Sequence, residues 1–234
     1  LKELLSSFFF VKRVFKNRSV SVISKATPKA PEHAMTPIKS IAELEDIYGK
    51  ANPRSLTKVV THMTPLYREW IEASRFVVVS TVGPEGTDGS PRGDDASVVT
   101  IADDKTVLMP DWFGNNRVDT LRNVVRDERV SLMFMVPNST SVVRVNGTGI
   151  VTASEDVLMR FEKKGKLPRS VLAITIAEMY FQCAKALMRS KLWNDERGEM
   201  KLPTAGAFLK EREAMFDAES YDADYPDYAK SRMW

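Results

Sequence analysis

The sequence predicts a mainly β protein, a small β-barrel with peripheral helices. Three observations carry this: at least six apolar runs of strand length, tight turns joining consecutive runs, and helical periodicity confined to short segments around them. A parallel sheet would need a long crossover at each connection, and turns such as Gly83-Pro84-Glu85-Gly86 and Asp103-Asp104 leave no room for one. At 234 residues, 43% apolar and 28% charged, the chain suits one domain with a substantial core plus appendages.

The elements follow in order. "SIAELEDIYG" is a helix, with Ser40 as its cap, Glu43 as the capping-box partner and Gly49 as its stop. "PRSLTKVVTHM" and "TPLYREWIEAS" predict two more short helices, each with a proline in its first turn. "RFVVVSTVG" is a β-branched strand closed by the Gly83–Gly86 turn, and "GSPRGD", "ASVVTIA" and "KTVLMPD" are the strands that follow. A helix is predicted from Asn115 to about Arg126, with Val118, Leu121 and Val125 as its apolar face. "RVSLMFMVP", apolar on both faces, predicts a central strand. "SVVRVNGTGIVTA" alternates, with Val143, Val145, Gly147 and Gly149 on one face and Arg144, Asn146 and Thr148 on the other. A helix from Ser154 to about Lys163 carries Val157, Leu158 and Phe161, and the long strand "SVLAITIAEMYFQ" leads into "CAKALMRSKLW". From Phe216 the acidic, tyrosine-rich tail has no clear period and reads as a mobile terminus, or as a segment that docks on a partner subunit. The expected organisation is a leader at 1–34, a folded domain at 35–215 and a tail at 216–234.

Charge and composition exclude several function classes. Residues 1–34 hold seven Lys/Arg against two Glu, whereas the remainder holds 27 basic against 29 acidic residues, so the body lacks the basic excess of a nucleic-acid binder. The leader reads as an unstructured extension with no role in the fold; its composition also resembles a transit segment, or sequence upstream of a start at Met35, and a short membrane-surface helix is the third reading. No apolar run approaches the length of a membrane span. One cysteine, Cys183, precludes an internal disulfide framework and points to a reducing compartment, so the expected location is cytoplasmic, or an organelle if the leader is a transit segment. Cys183 itself reads as a small core residue. With two histidines, His33 and His62, neither a Cys/His zinc site nor a Ser-His-acid triad is expected, and no metal is.

Three clusters can carry chemistry. The first is Arg92-Gly93-Asp94 on the second strand, a tripeptide that would serve adhesion only on an exposed loop. The second is "MPDWFGNNRVDTLRN", where a strand leads into a helix start. Free N–H groups there, with Asn115, Asn116 and Arg117, suit a phosphate, although Asn115 alone reads as a helix cap. The third is "CAKALMRSKLW", where Lys185, Arg189 and Trp193 are spaced by four and could hold a planar anion, or form an ordinary basic helix face.

Taken together and in order, these stretches resemble the pyridoxamine 5′-phosphate oxidase-like superfamily of FMN-binding split barrels, and within it a branch of FMN-dependent enzymes of unassigned substrate. "LTKVVTHMTPLYREWIEASRFVVVSTVGPEGTDGSPRGD", "PDWFGNNRVDTLRNVVRDERVSLMFMVP", "RVNGTG" and "LAITIAEMYFQCAKALMRSKLW" carry the likeness. It implies a six-stranded split barrel, a homodimer with FMN in two interfacial clefts, and an FMN-dependent oxidoreductase acting on a small molecule. Arg92 matches a strand arginine facing the flavin and its phosphate, and Gly93 a position of close backbone approach. Asp94 matches an acceptor for the ring edge or ribityl hydroxyls. Asn115, Asn116 and Arg117 match the phosphate-binding segment. Lys185, Arg189 and Trp193 match a segment that closes the cleft, from the other subunit. The chain has no histidine after His62 and no terminal Arg-Leu-x-Pro, so vitamin B6 oxidation is not the expected activity. The alternative is a non-catalytic module that holds a flavin or another anionic ligand.

Overall fold

The computed structural model describes residues 36–194 and 201–233, and the basic leader lies outside them. The described residues fall into two compact units, divided after Lys50. The first holds helix α1 (Ile41–Tyr48). Ser40 Oγ accepts from the Glu43 N–H at 3.1 Å, and Glu43 Oε2 accepts from the Lys39 N–H at 2.9 Å, one residue before the expected capping-box partner. Gly49 ends the helix at φ 68°, a left-handed conformation that a β-carbon would disfavour.

In the second unit, α2 (Pro53–Thr57) and α3 (Pro65–Glu72) both begin at their prolines. α2 is shorter than its sequence predicts, because Val60 leaves the helix to exchange two backbone hydrogen bonds with Met179. The strands are β1 (Phe76–Gly83), β2 (Gly86–Gly93), β3 (Thr100–Ile101), β4 (Thr106–Asp111), β5 (Arg129–Met135), β6 (Val142–Thr152) and β7 (Ser170–Gln182). They form one antiparallel sheet in the order β2-β1-β5-β6-β7-β4-β3. The fold is mainly β with surrounding helices, and it has seven strands where six are implied. The predicted strand "ASVVTIA" contributes only β3. Its first half is instead pinned beside α3, where the Val98 N–H donates to Ser74 O at 3.0 Å.

Neither edge strand pairs with the other, yet both halves of the sheet share one core. Val77 and Val79 of β1, Leu132 and Phe134 of β5, and Val107 and Met109 of β4 sit in a single buried cluster. Strands from opposite parts of the order meet there only if the sheet curls around them. Each such side chain contributes about 1.5–3 kcal/mol by leaving water. β6 and β7 slip register between Asn146 and Gly147, because Gly147 faces Ile176 while Asn146 faces Glu178 and Ala177 is left over.

α4 (Asp119–Arg126) starts four residues later than its sequence predicts and buries a different face. Thr120, Asn123 and Val124 are buried, whereas Val125 is 75% exposed. The packing face is largely polar: Asn123 Nδ2 donates to Thr81 Oγ1 at 3.2 Å, and Thr120 Oγ1 donates to Asp88 Oδ2. Asn123 lies so close to Gly83 that a β-carbon there would come within 2.2 Å of its Oδ1.

α5 (Glu155–Leu158) and the 3₁₀ turn after it pack Val157, Leu158 and Phe161 on Leu108 and Val171, a shorter helix than expected. α6 (Lys185–Ser190) is also short, and Cys183 just before it is exposed rather than in the core. Two helices that apolar periodicity does not predict complete the chain, α7 (Ala205–Arg212) and α8 (Ala218–Arg232). α8 occupies the tail expected to lack regular structure. Among the described residues no helix is long and apolar enough to cross a membrane.

Candidate functional site

Pairing of Arg92 with Val77 puts Arg92 on the face of the sheet that Val77 turns to the core. Asp111 has the same alternation as Val107 and Met109 on β4. Curling of the sheet therefore brings these two side chains together, and Arg92 Nη1 donates to Asp111 Oδ1 at 2.8 Å. The pair stands at one wall of a cleft of about 650 Å³, within the range of small-molecule sites.

Arg92, Gly93, Asp94, Asn115, Asn116 and Arg117 all line this one cleft. Asp94 does not pair with Arg92. Its carboxylate, 6% exposed, accepts from Lys163 Nζ at 2.5 Å, and the same ammonium reaches Asp95 at 3.0 Å. An adhesion tripeptide needs exposed charges, and here both are engaged in ion pairs. A β-carbon at Gly93 would meet only Arg75 O at 3.6 Å, an ordinary contact, so the protein's own packing does not demand glycine there.

The 115–117 segment is a turn rather than the first turn of a helix. Asn115 Oδ1 accepts from the Arg117 N–H at 3.0 Å, Asn116 has φ 62°, and Arg117 Nε donates to Asp119 Oδ2 at 2.6 Å. Asparagine tolerates this left-handed backbone better than other L-residues do. The turn is backed by a residue with no marked signal in the sequence, Arg169. Arg169 Nη1 donates to Asn116 Oδ1 at 2.7 Å, and its guanidinium lies over the Phe113 ring, 4.3 Å from the centroid. Arg169 also lines the cleft, and among the described residues no carboxylate pairs with it. Tyr221, Tyr225 and Tyr228 of α8 also line the cleft.

Lys185, Arg189 and Trp193 do not line the cleft of their own chain. Nor do they form one helical row: α6 ends at Ser190, Lys191 turns left-handed at φ 49°, and Trp193 Nε1 donates to Ser139 O at 2.7 Å. Among the described residues no group of three or more His, Cys, Asp or Glu could hold a metal ion.

The acidic pair at the cleft edge gives a pH signature. Asp95 is held down at about 2, against an ordinary 3.8, by the neighbouring Asp94 side chain first and then by Lys163. Burial pulls Lys163 down, but its bonds to Asp94 and Asp95 outweigh that and raise it. Asp127 is likewise held at about 2 by Arg129. These folded-state values lie below the ordinary one, so the stability they confer is complete above about pH 4 and is lost as pH falls toward 2. In Lys163→Met, a carboxyl carbon NMR titration should find Asp95 moved back toward its ordinary value and Asp127 unmoved.

The chain matches the family model for pyridoxamine 5′-phosphate oxidase over residues 63–183. Among solved structures, HupZ from Group A Streptococcus aligns at 18% identity and TM-score 0.43, covering 50% of this chain and 91% of that one. An FMN-binding protein from Syntrophomonas wolfei aligns at 17% identity and TM-score 0.38, over 50% and 88% of the two chains. The FAD-binding protein from Mycobacterium smegmatis aligns at 12% identity and TM-score 0.38, over 53% and 97%. No curated protein matches the chain. The family match spans more than half of the 234 residues and includes every strand of the sheet, and on that ground the chain belongs to the pyridoxamine 5′-phosphate oxidase family.

Proposed function

We propose that the protein is a flavin-dependent oxidoreductase that holds FMN in the Arg92–Arg169 cleft and acts on a small molecule. The observation that carries this is Arg169: a guanidinium facing the cleft beside the Asn115–Arg117 turn, with no carboxylate to neutralise it among the described residues. That donor set, arginine and amide side chains around a turn, fits a phosphate dianion. Both cleft carboxylates are already matched by cations, Asp111 by Arg92 and Asp94 by Lys163, so neither opposes an anion unscreened. Bound there, a flavin would supply hydride transfer. The chain's own residues would hold the phosphate through Arg169, Asn116 and Arg117, and present Arg92 to the remainder of the ligand.

The reading includes a homodimer. Lys185, Arg189 and Trp193 do not line their own cleft, which suits a role at the cleft of a second copy. Sizing with light scattering should then give a dimer.

FMN added to the full chain should bind in the micromolar range or tighter, and Arg169→Ala should weaken binding about 10-fold, the loss of one charge-assisted contact. A wild-type chain that neither carries nor binds FMN overturns the proposal. Non-catalytic binding is the second reading, favoured by the engagement of both cleft carboxylates in ion pairs within the protein, which leaves neither free to meet a substrate. Bound FMN that NADH, NADPH and reduced deazaflavin all fail to reduce would decide for it.

A further inference from the structure

We propose that the tyrosine face of α8 is a platform for a planar conjugated ring, which makes the C-terminal helix part of the ligand site. Tyr221, Tyr225 and Tyr228 are spaced at i, i+4 and i+7, so they share one side of the helix, and all three line the cleft. Their rings run in a tilted row, with centroids 5.8 Å apart from Tyr221 to Tyr225 and 6.3 Å from Tyr225 to Tyr228. Tyr225 remains 48% exposed, so much of its ring surface is left for a ligand to cover. Aromatic faces reward flat π-systems over saturated groups of the same size.

The helix is built to stay in place. Asp222 Oδ1 accepts from the Gly206 N–H at 2.8 Å, and α7 approaches so closely that a β-carbon on Gly206 would lie 2.6 Å from Ala218 O. The cleft lining thus combines cations and amides, from Arg92, Arg169 and the Asn115–Arg117 turn, with the aromatic rings of α8. It is shaped for a planar ring carrying an anionic tail. That ring is either the flavin's own or that of a substrate bound beside it, and the second source rests on the flavin reading above.

Calorimetry on the full-length, flavin-free chain tests the platform with two probes that share an anion and differ in their ring, 1-naphthyl phosphate and cyclohexyl phosphate. Wild type should prefer the naphthyl ester. Tyr225→Leu, at an exposed helical site that leucine suits, should weaken the naphthyl ester about 10-fold, the lower end of the range for one stacked ring, and leave the cyclohexyl ester unchanged. Tyr225→Phe should restore the preference. Equal binding of both esters by wild type, no detectable binding of either, or no effect of Tyr225→Leu overturns the platform. An FMN arm then assigns the ring. FMN weakened in parallel with the naphthyl ester means that the flavin lies on α8. FMN unaffected, with naphthyl phosphate binding to the FMN-loaded protein lost in Tyr225→Leu, means that the substrate's ring does. A wild type that binds the naphthyl ester selectively but not FMN overturns the flavin reading and upholds the platform.

Discussion

Replacing Gly147 with alanine should abolish the folded sheet under conditions where Gly89→Ala leaves it intact. At Gly147 an added β-carbon would lie 1.9 Å from the carbonyl oxygen of Thr175 and 3.0 Å from its carbon, which are backbone atoms of the adjacent strand. The position sits at the register slip between β6 and β7, in the middle of the strand order. No rotamer relieves such a clash, so either the ladder opens or the bulge moves, and both expose Ile174, Ile176 and Val145 of the core. A cost of about 4 kcal/mol, at the severe end for single substitutions, is a large part of the roughly 5–15 kcal/mol that holds a domain together. Gly89, on the edge strand β2, has nothing within 4 Å of its would-be β-carbon, and the same substitution there should shift stability by no more than about 0.5 kcal/mol. Thermal and urea unfolding of the two variants side by side measure the contrast. A Gly147→Ala variant that melts with wild type would mean the bulge is not rigidly placed.

The strands are legible in the sequence because burial on one face imposes a two-residue period that survives without any knowledge of partners. Val143 and Val145 fall on the predicted alternation, and in β1 and β5 the buried Val77, Val79, Val130 and Leu132 keep the same two-residue spacing. α4 departs from its expected face for the converse reason. Its inner face is Thr120 and Asn123, satisfied by Asp88 and Thr81, and an apolar periodicity points away from a polar interface. In the site, the individual arginine and asparagines stand out, but their partners do not. Arg92 meets Asp111 across 19 residues and Asp94 meets Lys163 across 69, contacts that exist only once the sheet has curled. Arg169 carries no local motif, since its role comes from ending the turn that precedes β7 just where Asn116 bends back. The tyrosines of α8 are visible as letters but not as a face, because acidic residues interrupt them and the helix is defined by its neighbour α7 rather than by an apolar stripe.

Removing the Arg92 guanidinium should cost both ligand and framework, and its carboxylate partner separates the two effects. Arg92→Ala deletes the hydrogen bond from β2 to Asp111 on β4, leaving a carboxylate that is 16% exposed without its counter-charge beside the cleft. A partly exposed pair of this kind is worth about 1–2 kcal/mol, less than a fully buried one, because water screens it. Affinity should fall further than stability does. An anion entering the cleft loses a cation and gains an unmatched negative neighbour, and about 100-fold weaker FMN binding is expected, the equivalent of about 2.7 kcal/mol. Asp111→Asn moves the other way: it frees Arg92 from its internal competitor, so FMN affinity should rise while stability falls slightly. In the double variant Arg92→Ala with Asp111→Asn, the repulsion is gone and affinity should recover part of the loss. Lysine at position 92 should restore less than half of the binding free energy, because an ammonium keeps the charge but not the planar fork that matches an oxyanion. Dialysis against FMN and unfolding curves on the four variants measure both quantities. If Arg92→Ala and Asp111→Asn weaken FMN equally, the pair serves only to tie β2 to β4, and the cations that hold the ligand are Arg169 and Arg117 alone.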